Sequence, residues 1–408
     1  MTRRVVVTGG ASVSALGMDD EEVFASLKSL KNRIVRLDSW DVYTRMNTRL
    51  ACPVPFELPE FPRKKARGAG RVARLALTAV DRALQVSGLR DNATLLQSGQ
   101  MGVAFGSSMG NIASLVDFFE MIKNYDSSGI NATSYIRAMP QTCAVNISVF
   151  YGLTGRVITT NTACTSGSLS IGQAYEFIKF GMQDVMIAGG AEELNPTEAA
   201  VFDALYATST LNDHPELAPA AYDKNRDGLV IGEGAGALIL EEYEHARARG
   251  AKIYAEIVGF GSNTDGEHIT QPKTETMQIA LEKAVRCAGV SLEAIGYVNG
   301  HGTATRYGDI SETWATYNAL NQRPVPLSSL KSYIGHSLGA CGAIEAWLAI
   351  QMMNRGWFSP NLNLDEVDPE CAPLDYITGN GRELDAEYVM SNNFAFGGIN
   401  TSLIFKKV

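Results

Sequence analysis

The stretch RVITTNTACTSGSLSIGQAYEFIKF, residues 156–180, combines a strand, a sharp turn and a helix around one cysteine. Residues 156–161, with four β-branched residues at 157–160, predict a buried strand, and residues 166–180 predict the helix. Cys164 lies in the turn, at the N-terminus of the helix, where the positive end of the helix dipole lowers a thiol pKa and favours the thiolate. Its neighbours are small, so a substrate can approach closely. The alternative is a buried cysteine that only packs, which is what we expect of the other five cysteines.

Strand-like and helix-like segments alternate along the rest of the chain. Apolar runs predict strands at 5–10, 102–106, 184–190, 235–241, 253–261, 295–299 and 402–405. Periodic or alanine-rich segments predict helices at 21–30, 66–88, 274–288 and 339–354. This alternation predicts an α/β fold with largely buried sheets. The glycine- and acid-rich stretch 223–233 is a candidate boundary region, and we expect two halves, 1–250 and 251–408.

The composition excludes several classes of protein. The chain has 408 residues, of which 45% are hydrophobic and 19% charged, as in an ordinary globular protein. A net charge of −9 disfavours a general nucleic-acid binder. No apolar run approaches the roughly 18 residues of a membrane helix, and the N-terminus is typical of a first strand rather than a signal peptide. Six cysteines without a C-x-x-C spacing indicate free thiols in the cytoplasm.

Two of the five histidines lie in settings that packing alone explains poorly. His301 stands between two glycines in NGHGTATRYGD (299–309), directly after a predicted strand. His336 stands in KSYIGHSLGACGAIE (331–345), at the start of a predicted helix, where a neutral imidazole that donates a hydrogen bond is favoured. Lys331 and Glu345 are candidates for a supporting ionic network. A structural role for His301 and a capping role for His336 are the alternatives.

The residues around His336 bear on two kinds of binding site, one for phosphate and one for zinc. Gly335, Gly339 and Gly342 fall at helical spacing, which predicts close packing rather than phosphate binding. One cysteine and two histidines could bind zinc, but they are isolated in the sequence and lack the clustered ligands of a zinc site. We therefore predict no catalytic metal.

Four segments together resemble a known family. They are TACTS (162–166), GHGTAT (300–305), KSYIGHSLGA (331–340) and NFAFGGIN (393–400). In order and spacing they are similar to the four signatures of β-ketoacyl-[acyl-carrier-protein] synthases, and the resemblance spans essentially the whole chain. The stretch 202–228 is more similar to the type I than to the type II bacterial elongating enzymes. The resemblance implies a thiolase fold, with five layers α-β-α-β-α built from two related halves, and usually a dimer.

The resemblance also implies a reaction and the residues that perform it. Cys164 would take the acyl group from an acyl thioester and hold it covalently. Malonyl-[acyl-carrier protein] would lose CO2, and His301 and His336 would stabilise the enolate oxygen. Attack on the acyl group would give 3-oxoacyl-[acyl-carrier protein], in fatty acid or specialised polyketide or polyene biosynthesis. The backbone amides of Cys164 and Phe396 would form the oxyanion hole.

The same resemblance assigns supporting residues. Lys331 would orient the site together with three acids, Asp309, Glu312 and Glu345. Thr303 and Thr305 would contact the pantetheine arm. Phe394 and Phe396 would form the gate of the site. Met109 and Phe202 would line the acyl pocket. A structural cation occupies, in some relatives, positions that match Asn299, Glu345, Ser391 and Asn392. Ala395 departs from the family pattern, which commonly has glycine between the gate phenylalanines.

A basic stretch stands out on this acidic chain. Its six cations, with no acid among them, are Arg63, Lys64, Lys65, Arg67, Arg71 and Arg74. A solvated helix face is one interpretation, and a docking surface for an acidic carrier protein is the other, because complementary charge steers encounter. We expect no free cofactor, since the carrier protein brings the phosphopantetheine. A homodimer is expected, with a heterodimer with a related synthase subunit as the other arrangement.

The main alternative function is a non-elongating, chain-length-factor-like partner subunit of a synthase heterodimer. Such a subunit would lack the nucleophile, and Cys164 is present. A thiolase would have a second catalytic cysteine in place of His336, and a starter-type synthase or chalcone-synthase relative would have asparagine. His336 therefore favours an elongating enzyme.

Overall fold

The computed structural model describes residues 2–408 and is dominated by one mixed sheet. Ten strands form its two halves: β1 (Val5–Val13), β2 (Met101–Gly106), β3 (Val157–Thr160), β4 (Val185–Glu192) and β5 (Gly234–Glu242), then β6 (Ala255–Thr264), β7 (Ile295–Asn299), β8 (Pro326–Ser328), β9 (Tyr388–Ala395) and β10 (Ile399–Lys406). A short strand, Asp375–Tyr376, extends the edge at β8. Two small sheets lie apart, one of Val35–Arg36, Leu50–Cys52 and Ile231–Gly232, the other of Trp357–Phe358 and Arg382–Glu383.

The two halves of the sheet have the same topology. The strand order is β3-β2-β4-β5-β1 in the first half and β8-β7-β9-β10-β6 in the second, so strands in corresponding positions have corresponding neighbours. In each half three strands are parallel and the last two pairings are antiparallel. The halves join where Val5–Val7 of β1 pairs with residues 255–257 of β6. This duplicated architecture has no visible repeat in the sequence.

In the described part of the chain, residues 2–408, thirteen helices pack around and between the halves. They are α1 (Asp20–Lys28), α2 (Arg71–Ser87), α3 (Ala93–Leu96), α4 (Ile112–Asn124), α5 (Ala132–Ala138), α6 (Thr142–Tyr151), α7 (Ser166–Lys179), α8 (Pro196–Asp203), α9 (Tyr243–Ala248), α10 (Thr274–Ala288), α11 (Arg306–Ala319), α12 (Lys331–Ile334) and α13 (Cys341–Arg355). Helices α2 and α6 pack on strands of the first half, and α10 packs on the second half with α11 against it. Helices α7 and α13 contact strands of both halves. The five-layer thiolase fold that the resemblance implies is therefore confirmed.

The two central helices approach each other closely at their N-termini. A Cβ atom at Gly342 of α13 would lie 2.8 Å from the backbone nitrogen of Ser168 in α7. Conversely, a Cβ at Gly167 of α7 would lie 2.9 Å from the backbone nitrogen of Ala343. The predicted packing role of Gly342 is confirmed, since any side chain there would push the helices apart.

Two sequence expectations need correction. Residues 66–70 do not belong to the predicted helix 66–88, because a turn continues to Gly68 and α2 begins at Arg71. Glycine at 68 and 70 makes a helical first turn unfavourable there. The stretch 223–233 lies inside the first half, because β5, which follows it, pairs with β1. Residue 250 instead lies between α9 and β6. Within residues 2–408, the structure has no helix of sufficient length and apolarity to cross a bilayer.

Candidate active site

Cys164 is presented by a strained turn between β3 and α7. Ala163 adopts a left-handed conformation, with φ of +49°, and the turn Ala163–Thr165 is a single 3-10 segment. Ser166 holds it from both sides, because its hydroxyl accepts from the amide of Thr162 at 3.0 Å and donates to the carbonyl of Ala163 at 2.7 Å. Non-glycine residues in this conformation are costly and persist where the surroundings hold them. Here the turn directs the buried thiol of Cys164 toward the second half of the fold.

His336 meets the thiol directly. Its Nε2 lies 3.0 Å from Sγ of Cys164, and its backbone amide donates to the carbonyl of Val230 at 2.7 Å. Burial, followed by the positive charge of Lys331, lowers the pKa of His336 well below its ordinary value. The imidazole is therefore neutral at neutral pH, as the sequence predicts.

The electrostatics of Cys164 differ from the sequence expectation. Burial raises the pKa of its thiol to about 12, although Lys331 and the backbone amides of Phe396 and Cys164 act in the opposite direction. The expected lowering by the helix dipole is wrong, because removing the thiolate from water outweighs the dipole. The resting pair is a neutral thiol against a neutral imidazole.

Two backbone amides lie near the sulfur. Those of Cys164 and Phe396 both lower the pKa of the thiol, against the larger effect of burial. Phe396 lies in the tight connection between β9 and β10, where Gly397 and Gly398 both have positive φ. These are the amides that the resemblance assigns to the oxyanion hole, and the structure brings them to one point from the two halves of the fold.

His301 faces His336 across the site. The two rings are perpendicular, with centroids 5.1 Å apart. Lys331 Nζ lies 3.2 Å from Nδ1 of His301, so Nδ1 accepts from the ammonium and the ring proton resides on Nε2. Burial, then Lys331 and His336, lower the pKa of His301 well below its ordinary value. His301 is therefore a neutral hydrogen-bond donor through Nε2.

A buried ion pair supports His301 from behind. Lys331 pairs with Glu345, and both are almost fully buried. Burial opposes the charge of Lys331, but the surrounding groups, Glu345 first among them, together outweigh burial and raise the pKa of that lysine. Asn393 donates to the other oxygen of Glu345 at 2.7 Å and lies 3.4 Å from Nδ1 of His301. The sequence predicts no role for Asn393, although this residue begins the NFAFGGIN segment that carries the family resemblance.

Two buried carboxyls shape the loop after β7. Glu312 accepts from the amides of His301 and Gly302, the second at 2.7 Å, and burial raises the pKa of Glu312 to about 8. Asp309 accepts from the amides of Tyr222 and Ala304 at 2.8 and 3.2 Å, and burial raises its pKa to about 6. Neither contacts Lys331 by a hydrogen bond, so they shape the loop that carries His301.

A cavity of about 470 Å³ leads from the surface to Cys164 and both histidines. Six further sequence-predicted residues line it: Phe202, Thr303, Thr305, Glu312, Phe394 and Phe396. The hydroxyls of Thr303 and Thr305 are 2.9 Å apart, and the rings of Phe202 and Phe396 pack at 4.8 Å between centroids. Met109 does not line this cavity and is 41% exposed on the surface of the chain.

The structure contains two polar clusters that bear on metal binding. Cys164 Sγ and one ring nitrogen of each histidine lie within 4.8 Å of one another, but the ammonium of Lys331 beside His301 disfavours a cation there. At the second cluster, Asn299 Oδ1 and Asn392 Oδ1 are buried without a hydrogen-bond partner, and Asn299 Nδ2 donates to Ser391 at 3.4 Å. The Glu345 carboxylate that would join these oxygens is already paired with the Lys331 ammonium, and the structural cation stays a prediction.

The basic stretch forms a surface loop, not a helix face, up to Gly70. Arg71 is the exception among its cations, because it makes a two-pronged contact with the buried Glu233 at 2.8 and 2.5 Å. The other five form no ion pair within residues 2–408: Arg63, Lys64, Lys65, Arg67 and Arg74. Their charge is free to meet a partner.

Comparison with known proteins gives concordant matches over the chain. Residues 2–246 match the family Beta-ketoacyl synthase, N-terminal domain, and residues 254–365 match Beta-ketoacyl synthase, C-terminal domain. The chain is 39% identical to 3-oxoacyl-[acyl-carrier-protein] synthase 2 of Vibrio cholerae, over 100% of this chain and 99% of that one. A beta-ketoacyl synthase structure from Burkholderia phymatum STM815 is 53% identical with a TM-score of 0.97, and the ishigamide ketosynthase/chain length factor is 29% identical with a TM-score of 0.90, each covering 100% of both chains.

The neutral state of Cys164 and His336 makes a measurable prediction. Because the thiolate is the nucleophile, alkylation of Cys164 by iodoacetamide should accelerate about tenfold per pH unit from pH 6 to 9, below the thiol pKa of about 12. Peptide mass spectrometry separates this cysteine from Cys287, which is exposed, so the expectation of a buried packing cysteine is wrong at that position. A rate that stays constant over this range would indicate a thiolate–imidazolium ion pair and contradict the neutral pair.

Proposed function

The chain belongs to the β-ketoacyl synthase family, and on that basis we propose that it condenses an acyl group held on Cys164 with malonyl-[acyl-carrier protein]. The products are 3-oxoacyl-[acyl-carrier protein] and CO2. The observation that carries the proposal is the convergence of one thiol, two neutral imidazoles and two backbone amides at the inner end of one cavity.

Acylation begins with proton transfer from the thiol. Nε2 of His336, 3.0 Å from Sγ, takes the proton as the sulfur attacks the carbonyl carbon of the acyl thioester. The tetrahedral oxyanion is held by the amides of Cys164 and Phe396. Collapse breaks the bond to the pantetheine sulfur, which leaves with the proton from His336. The carrier thiol is released, and the acyl group remains on Cys164.

Decarboxylation follows when malonyl-[acyl-carrier protein] occupies the cavity. The bond from the methylene carbon to the carboxylate breaks, CO2 leaves, and the electron pair forms an enolate. Nε2–H of His301, whose tautomer is set by Lys331, donates to the enolate oxygen. Once Cys164 is acylated it offers no proton to Nε2 of His336, so that neutral ring moves its own proton from Nδ1 to Nε2 and donates as well. Because both rings are neutral, they donate to the enolate without an ionic attraction to the malonyl carboxylate in the ground state.

Condensation then joins the two fragments. The enolate carbon attacks the acyl-Cys164 carbonyl, and the same two amides receive the oxyanion. The Cys164 thiolate leaves and takes up one proton, which restores the free enzyme. The phosphopantetheine belongs to the carrier protein, so the reaction needs no cofactor held by this chain.

The biological setting is proposed from the relatives. The 39% identity to a synthase whose name places it in 3-oxoacyl-[acyl-carrier-protein] formation supports fatty-acid-type elongation. The similarity to a ketosynthase/chain length factor structure keeps a specialised polyketide or polyene pathway as the second setting. A chain-length-factor role has no support in the site, because Cys164 is present with both histidines beside it.

The five unpaired cations of the basic stretch are the proposed docking surface for the acidic carrier protein. They lie on a loop and the first turn of α2, and Arg74 borders a second cavity with Phe56 and Leu58. Apolar and basic groups together suit an acidic helix with an apolar face. The proposed docking residues are Arg63, Lys64, Lys65, Arg67 and Arg74, with Arg71 anchoring the loop to Glu233.

A homodimer is proposed from two exposed features. Strand β3 ends the sheet, and its Val157 is exposed, so its outer edge is open to another strand. Helix α4 exposes Val116, Phe119 and Ile122, which form an apolar face typical of a protein interface. A heterodimer with a related subunit would use the same surfaces.

Substitution of the nucleophile separates the two half-reactions. In Cys164→Ala, transfer of an acyl group to the protein should be lost, because no other thiol lines the cavity. Release of CO2 from malonyl-[acyl-carrier protein] should persist, because the enolate donors His301 and His336 remain. Intact-protein mass spectrometry and CO2 release measure the two steps. Cys287→Ala is the matched control, and an acyl adduct on the Cys164→Ala protein would overturn the assignment.

Charge reversal tests the docking surface. The pair Lys64→Glu and Arg67→Glu should raise KM for acyl-carrier protein by roughly tenfold more than KM for the carrier-free acyl-pantetheine, because only the carrier meets the patch. The difference should shrink as salt is added. Lys252→Glu, an exposed lysine elsewhere, is the control. Equal changes of KM for both substrates would place the carrier on another surface.

A further inference from the structure

One wall of the cavity is a short segment that runs from the active site to the surface. His301 and Thr303 are buried, Thr305 is half-buried, and the side chain of Arg306 is 65% exposed. All four line the same cavity as Cys164. The segment therefore places a guanidinium at the mouth of the channel whose inner end holds the nucleophile.

The backbone at this mouth is fixed from below by Arg226. The guanidinium of Arg226 is 2% exposed and donates through Nη2 to the carbonyl of Arg306 at 3.0 Å. It is itself held by Asp309 at 3.4 Å and Asp368 at 2.7 Å. The main chain of Arg306 is thus anchored, while its side chain extends outward.

The present partner of Arg306 is easily exchanged. Its Nη2 lies 2.7 Å from Glu370, whose side chain is 53% exposed. Ion pairs between side chains this exposed contribute little stability, so a stronger anion can displace the carboxylate. A phosphate group is such an anion, because a guanidinium binds it through two parallel hydrogen bonds.

The phosphopantetheine arm is long enough to span the wall from His301 to Arg306. About thirteen bonds join the sulfur of a phosphopantetheine thioester to its phosphorus, and at three backbone bonds per residue this is the reach of four to five extended residues, roughly 15 Å. Five residues lead from His301 to Arg306, and because Gly302 and Ala304 have positive φ, their path is shorter than the roughly 17 Å of five extended residues. A thioester at Cys164 would therefore bring its phosphate to the cavity mouth.

We propose that Arg306 binds the phosphate of the phosphopantetheine arm and so makes this enzyme prefer phosphorylated over unphosphorylated pantetheine thioesters. The inference rests on the proposed function, because it needs a thioester at Cys164. Arg226 is a positioning residue that holds the Arg306 backbone, and Glu370 competes with the phosphate for the guanidinium.

The test compares two carrier-free substrates that differ in one phosphate, acyl-4′-phosphopantetheine and acyl-pantetheine. Acylation of Cys164 is followed by intact-protein mass spectrometry as a function of substrate concentration. The wild type should have a KM about three to ten times lower for the phosphorylated substrate, as expected of one solvent-exposed charged contact. Arg306→Gln should bring the ratio of the two KM values close to one, and Glu370→Gln should widen it.

A matched control and separate failure modes complete the experiment. Arg247→Gln removes another exposed arginine with a carboxylate partner and should keep the wild-type ratio. If Arg306→Gln keeps that ratio, the phosphate assignment is overturned, while acylation of Cys164 still supports the proposed function. If the wild type is acylated by neither of these substrates nor by acyl-carrier protein, the proposed function itself fails. Use of acyl-carrier protein as a third substrate shows whether the same preference applies to the carrier-bound phosphate.

Discussion

The geometry of the site depends on the close backbone contact between the N-termini of α7 and α13. Gly167 and Gly342 leave no room for a side chain between these helices, and Cys341 Sγ lies 3.3 Å from the carbonyl of Cys164. Cys164 precedes α7 and His336 precedes α13 by a few residues, so the helix contact brings sulfur and imidazole to 3.0 Å. The two halves of the fold each contribute one partner, which explains why a duplicated architecture has a single site.

Burial sets the chemistry at that contact. It raises the pKa of the thiol and lowers the pKa of both histidines, so three groups that could carry charge are neutral at rest. Lys331 and Glu345 carry opposite charges, and they neutralise each other behind His301. The resting site therefore avoids the cost of an unpaired buried charge. The lysine also acts through His301, whose proton it directs to the nitrogen that faces the cavity.

Some helices and strands of this arrangement follow from the sequence alone, whereas others do not. Residues 274–288 and 295–299 were predicted at the observed bounds of α10 and β7, because apolar periodicity is strong there. Strand β9 was missed, because its polar residues Ser391, Asn392 and Asn393 are buried in the site rather than exposed. Helix α4 was missed as well, since its exposed apolar side chains obscure an amphipathic pattern. The assembled five-layer fold was available only through the family resemblance.

Within the site, the sequence predicts which residues take part, and the structure shows their protonation states. Cys164, His301 and His336 are neighbours, as the sequence predicts. The direction in which the thiol pKa shifts depends on burial, which no local segment of the sequence reveals. Met109 lies outside the cavity of the single chain, and Asn393 and Arg226 acquire roles only through contacts distant in sequence.

The central claim is that acyl-Cys164 is an intermediate on the path to a 3-oxoacyl product. Rapid-quench mass spectrometry of the Cys164 peptide, with acyl-carrier protein added first and malonyl-carrier protein second, measures it directly. The account predicts an acyl adduct that forms in the first step and disappears in the second, with equal amounts of CO2 and 3-oxoacyl-carrier protein released. Product and CO2 without an adduct on Cys164, or an adduct that malonyl-carrier protein does not discharge, would contradict it.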